Sequence, residues 1–180
     1  MRMKPTRTVV VLYENDSAQK QAVGFCDELV MRFWENCSFD IYWTSFRDLE
    51  NNTAAQDSKT KTATADIIVF AAEPTGELPL EVALWMQESL AGRNEREGAL
   101  VGLFKPGESS VRDCHCRIMA HRHGLDYWTE MPREVFQTIP DSPDWYERRA
   151  GQVTSVLDDI LRQQTPQPKL WELARPRAQS

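Results

Sequence analysis

Ala65–Phe104 reads ADIIVFAAEPTGELPLEVALWMQESLAGRNEREGALVGLF, and its pattern decides the fold. Asp66–Ala72 reads as a central strand, its Ile67–Ala72 a continuous apolar run rich in β-branched residues, as in a parallel strand covered on both faces. A Gly/Pro loop follows, Glu73-Pro-Thr-Gly-Glu-Leu-Pro79, with Pro79 suited to the first helical position. Val82, Trp85, Met86 and Leu90 then recur at helical spacing up to Gly92, and Ala99–Phe104 is a second buried run. Two parallel strands need such a crossover, because a hairpin cannot join them. The loop Glu73–Pro79 leaves the carboxyl end of its strand, where open α/β sheets place their ligands.

Upstream, Thr8–Tyr13 (TVVVLY) is another central strand, broken by Glu14-Asn-Asp-Ser17, in which Asp16 or Ser17 suits an N-cap. Ala18–Glu35 has helical spacing through Ala22, Phe25, Cys26, Leu29 and Phe33, with Val23, Val30 and Trp34 broadening the apolar face. Phe39–Phe46 is the second strand. Arg47–Thr64 is polar with no clear period, so the expectation is a short helix around Leu49–Gln56 inside a mobile connection. Downstream, Ser110 with Asp113 opens a helix over Val111–His123, Gly124 stops it, and Leu125–Met131 is an edge strand. A last helix runs from Ser142-Pro143 to about Gln163, followed by a Pro-rich tail carrying Leu170-Trp171-Glu-Leu173.

Strands alternating with helices give an α/β fold, a three-layer αβα sandwich around a doubly wound, five-stranded parallel sheet. The domain spans residues 1–164 and the tail residues 165–180. The expected strand order is 2-1-3-4-5, with the switch point between the first and third strands. Glu14–Ser17 and Glu73–Pro79 then face each other across one crevice, which would take a small molecule or a protein partner.

The 180 residues suffice for one domain with its own core. With 41% hydrophobic and 27% charged residues the composition is that of a globular protein. A net charge of −6 argues against nucleic acid or an anionic membrane surface as partner. The basic start closes too soon for a secretory h-region, and no stretch approaches the roughly 20 apolar residues of a membrane span. A cytoplasmic location is the expectation. Four cysteines in a chain of this size do not form a disulfide framework, and Cys26 falls on the apolar side of its helix.

Along residues 8–105 the chain resembles flavodoxin-type FMN domains. Leu12-Tyr-Glu-Asn-Asp-Ser-Ala18 stands at their phosphate loop, and Thr75-Gly-Glu-Leu-Pro79 is similar to their second loop. The resemblance implies FMN as cofactor and an electron-transfer role, with Asn15, Ser17, Thr75 and Gly76 on the cofactor and Phe104 as the stacking ring. A phosphate wants free amides at a helix N-terminus plus hydroxyl donors. The phosphate loop departs from the family: Ser17 is its lone hydroxyl, Ala18 replaces a glycine, and Glu14 and Asp16 bring carboxylates to the anion's place.

Three other chemistries compete with a purely structural reading of the same residues. Response-regulator receivers share the topology, and Glu14 with Asp16 could mimic their acidic pair. However, the third strand ends Phe70-Ala-Ala-Glu73 without the phosphoaccepting Asp, and Lys105 follows the fourth strand rather than the fifth. Nucleoside deoxyribosyltransferase-like domains carry a Glu at the start of the corresponding helix, where Glu81 could act as a nucleophile, although the helix dipole alone favours a Glu there. All three histidines crowd Cys114–His123 with two cysteines, but Cys114 and His121 stand seven residues apart, about 10 Å along a helix, too far to share one ion. Cys114, Val111, Ile118 and Leu125 are the expected core stripe of that helix, with the histidines outside. The leading expectation is a binding or regulatory module without established catalysis.

Overall fold

Five parallel strands form one sheet in the order β2-β1-β3-β4-β5. They are β1 (Thr6–Tyr13), β2 (Ser38–Ser45), β3 (Ile67–Ala71), β4 (Ala99–Leu103) and β5 (Asp126–Trp128). The computed structural model describes residues 4–94, 96–104 and 110–131, all within the unit Met1–Val135. This is the flavodoxin-like arrangement expected from the sequence. The domain boundary at residue 164, the last helix and the tail with Trp171 lie outside the described residues.

β3 and β4 are buried along their whole length, which is why they read as unbroken apolar runs. Alternation divides the sheet's side chains between two faces. Val10, Leu12, Ile68, Phe70 and Leu100 pack with α3 (Leu80–Ala91) and α4 (Val111–Arg122) around Trp85, Met86 and Met119. Val9 and Val11 turn to the opposite face, which α1 (Asp16–Phe33) covers with Ala18, Ala22, Cys26, Leu29 and Phe33.

Four local expectations are corrected. The cap of α1 is Asn15, whose Oδ1 accepts from the Ala18 amide at 2.9 Å, rather than Asp16 or Ser17. The apolar face of α1 is narrower than its composition: Val23, Val30 and Trp34 are 41%, 37% and 57% exposed, because one stripe suffices to cover the sheet. The polar connection is a 3-10 turn over Phe46–Glu50 and then α2, a helix spanning Asn52–Thr64. Asn51 caps α2, and its buried residues are Ser58 and Thr62. Their small polar side chains are satisfied locally, Ser58 by Thr44 at 3.3 Å and Thr62 by the Ser58 carbonyl at 2.8 Å. An apolar period is therefore absent where a helix nevertheless packs.

The fourth correction concerns α4. Its inward residues are Arg112, Cys116, Met119 and Ala120, while Val111 and Ile118 are 83% and 40% exposed and Cys114 is half-buried. The helix is thus turned from its expected stripe, and it carries an arginine into the core. Ser110 does cap it, accepting from the Asp113 amide at 2.9 Å, and Gly124 stops it at φ +69°.

Candidate functional site

The carboxyl ends of β1 and β3 carry the two segments expected to face each other. Glu14 continues the ladder, its amide donating to the Ala71 carbonyl at 3.0 Å. Its Oε2 then accepts from the Glu73 amide at 2.8 Å, so the side chain that ends β1 holds the first residue of the β3–α3 loop.

Arg112 completes this arrangement from α4. Its Nη1 donates to Glu14 Oε2 at 2.8 Å and to the Glu73 carbonyl at 3.1 Å. Nε donates to the Gly76 carbonyl at 3.2 Å and Nη2 to the Glu77 carbonyl at 2.8 Å. The loop wraps the guanidinium, and Gly76 makes that path possible with φ +93°, a conformation costly for any residue with a Cβ. Arg112 is 5% exposed, so its charge tolerates burial only because one carboxylate and three carbonyls surround it. The crevice between Glu14–Ser17 and Glu73–Pro79 is therefore bridged by the protein's own ion pair. The carboxylate at the anion's place is neutralised from within.

The residues singled out from the sequence divide into three groups. Asn15, Ser17, Thr75 and Gly76 sit exposed on the two rims, Asn15 occupied in capping α1. The cap takes the Ala18 amide and leaves those of Asp16 and Ser17 without a helical acceptor, as first-turn amides are. Phe104 is partly buried against the core, its ring centroid 6.1 Å from that of Phe70. Glu81 is exposed in the first turn of α3, its side chain in no hydrogen bond or ion pair among the described residues.

Arg112 is the site residue that pattern reading missed, because a charged residue in an amphipathic helix is normally assigned to the solvent side. The signal was present: Arg112, Cys116, Met119 and Ala120 follow the i, i+4, i+7, i+8 rule as well as the competing stripe does. Next to it lies a second polar cluster. The Tyr127 hydroxyl donates to Asp113 Oδ1 at 2.6 Å, and Arg117 Nη2 donates to Asp113 Oδ2 at 3.1 Å. Burial, then the neighbouring Cys116 and the bond to Asp113, push the Tyr127 phenol well above its ordinary range. It remains a donor at any working pH.

The histidine and cysteine cluster is split by the helix, with Cys116 buried and His121 exposed. Among the described residues, no three His, Cys, Asp or Glu side chains converge as a metal site would require. No helix among them is long and apolar enough to cross a membrane.

No protein-family model matches the chain, and neither does any curated protein. Solved structures of similar chain path include a flavodoxin-like domain from Synechococcus sp., at 13% identity and TM-score 0.48, covering 86% of this chain and 99% of that one. The two-electron reduced flavodoxin of Megasphaera elsdenii is 14% identical with TM-score 0.43, covering 81% of this chain and 98% of the other. The rubredoxin:oxygen oxidoreductase of Desulfovibrio gigas is 16% identical with TM-score 0.46; the match covers 89% of this chain and 37% of that protein.

Proposed function

We propose that the chain is a non-catalytic binding module of flavodoxin-like fold that recognises a protein partner on the rim of the bridged crevice. The observation that carries this reading is the Glu14–Arg112 bond, which fills the switch point from inside and stiffens the loop Glu73–Glu77. The same guanidinium ties the start of α4 to Gly76 and Glu77, so exposed Val111 stands beside a loop whose helix opens with exposed Leu80, 67% accessible. A rigid loop flanked by two exposed aliphatic side chains and by Glu77 suits a protein surface carrying apolar and basic groups.

FMN binding is the second reading. What supports it is the pair of free first-turn amides at Asp16 and Ser17, with the hydroxyls of Ser17 and Thr75 on the opposing rims. Against it stand the Asp16 carboxylate and the engagement of Phe104 with the core.

Titration of the purified protein with FMN separates the two. The binding-module reading expects no flavin band at about 450 nm after desalting and no quenching of added FMN. Stoichiometric flavin would overturn it. A photo-crosslinker at Val111, used in extract of the source cells, should then capture a protein that Leu80→Asp releases.

A further inference from the structure

Three buried polar atoms line one side of α3, away from the crevice. Trp85 Nε1, Ser89 Oγ and Arg93 Nε belong to residues 3%, 2% and 3% exposed, and among the described residues none of the three atoms makes a hydrogen bond. The residues stand at i, i+4 and i+8, so they share one face of the helix and of the turn that continues it past Ala91. Each step is about 6 Å along the axis.

That face belongs to the seam between α3 and α2. Arg93 Nη1 donates to the Thr62 carbonyl at 2.7 Å, Lys59 pairs with Glu88, and Ala55 packs on the cluster that holds Trp85. The sequence of α2, NTAAQDSKTKTAT, has no large apolar side chain to fill such a seam, and its buried residues are Ser58 and Thr62. A serine inside a helix commonly turns its hydroxyl onto the carbonyl four residues back, but Ser89 Oγ does not take that of Trp85. Leaving an indole N–H and a guanidinium N–H dry costs more than a made hydrogen bond returns. An apolar cavity stays dry, whereas a polar one with two or more partners holds water.

We propose that the α2–α3 seam is a binding site for ordered water, held between Trp85, Ser89 and Arg93. One water accepts from Trp85 Nε1 and donates to Ser89 Oγ. A second accepts from the Ser89 hydroxyl and from Arg93 Nε. Two hydrogen bonds of about 2.8–3.0 Å through one water span about 5–6 Å, which matches the axial spacing of neighbouring residues in this column. All three protein donors are then satisfied, and Ser89 Oγ both accepts and donates, as a hydroxyl can. The water thus fills the space between α3 and a helix whose own side chains are too small and too polar to do so.

Nuclear magnetic resonance on the full chain tests this. Through-bond assignment identifies the Trp85 indole proton among those of the six tryptophans. The expected result is a dipolar cross-peak between that proton and water, with the sign of a long-lived internal water. Ser89→Ala, a substitution favourable to a helix, should weaken the cross-peak at least about twofold and lower Tm by about 2–4 °C. Circular dichroism establishes that the variant is folded. A Trp85 indole proton without the cross-peak in the unmodified chain overturns the proposal. So does a cross-peak that Ser89→Ala leaves unchanged, or a Tm that holds or rises in that variant, because removing a hydroxyl that is buried dry does not destabilise the protein.

Discussion

Glu14 at the end of β1 and Arg112 in the first turn of α4 stand 98 residues apart in the chain and meet through a 2.8 Å hydrogen bond. Each also holds the backbone of the β3–α3 loop, Glu14 through the Glu73 amide and Arg112 through three carbonyls. The pair therefore acts as one clamp on a loop that neither belongs to.

Removing the cation should cost more than weakening the anion. Arg112→Met leaves Glu14 and three carbonyls without their donor in a buried place, and a loss of about 2–4 kcal/mol of unfolding free energy is expected. Glu14→Gln keeps an acceptor for both donors and should lose about 1 kcal/mol. Urea unfolding measures both, and amide exchange at Glu73 should accelerate in each variant. Equal small losses would mean that the loop holds its path unaided.

Gly102 is expected to be irreplaceable for a reason of space. A Cβ there would overlap the Tyr127 hydroxyl, with Tyr127 Cζ at 2.9 Å and Phe104 Cε2 at 3.0 Å. Gly102→Ala should therefore lose about 1–3 kcal/mol. Tyr127→Phe in the same chain should recover part of that loss, since it removes the nearest atom and leaves the ring. A double-mutant cycle by thermal unfolding reads the coupling.

The cap of α1 can be assigned by substitution. Asn15→Ala should cost about 1 kcal/mol, whereas Ser17→Ala should change stability by no more than about 0.5 kcal/mol. The same pair separates structure from ligand chemistry, because a phosphate site would depend on Ser17.

Thiol chemistry should follow burial. Cys26 is pushed by burial, then by Asp27, from its ordinary value near 9 up to about 12, and burial also raises Cys37 and Cys116. An alkylating reagent at about pH 8 should thus label Cys114, the half-buried one, before the other three. Folding raises these thiols, so the stability they contribute is intact below pH 9 and is lost as pH rises from 9 toward about 12. Mass spectrometry of the labelled chain and thermal unfolding across that range check the two statements. Preferential labelling of Cys26 would contradict the core placement.

Where the sequence could be read, burial was the reason. β3, α3 and β4 are enclosed by other elements, so apolar period and length specify each of them. α2 escaped because its inward positions are Ser58 and Thr62, which carry no hydrophobic signal. α4 was found but turned wrongly, because two stripes compete on one helix and Val111 and Ile118 look more apolar than Arg112. The crevice followed from topology alone. Its bridge did not, since an ion pair between Glu14 and Arg112 depends on how α4 is rotated, and no local pattern encodes that rotation.

Arg93 gives the poorly signposted half of the sheet a mechanical tie. It is 3% exposed, and burial lowers its pKa to about 10, still charged at neutral pH. Nη1 donates to the carbonyls of Thr62 and Ala65 at 2.7 and 2.8 Å, and Nη2 to those of Arg96 and Glu97. A helix with so little apolar contact as α2 would otherwise be the first segment to open in native-state exchange. Pinned at its last turn to the loop that enters β4, it can be released only when that loop lets go. The two segments then form one cooperative unit, and α2 inherits from a strand it never touches in sequence the persistence that its own composition does not supply.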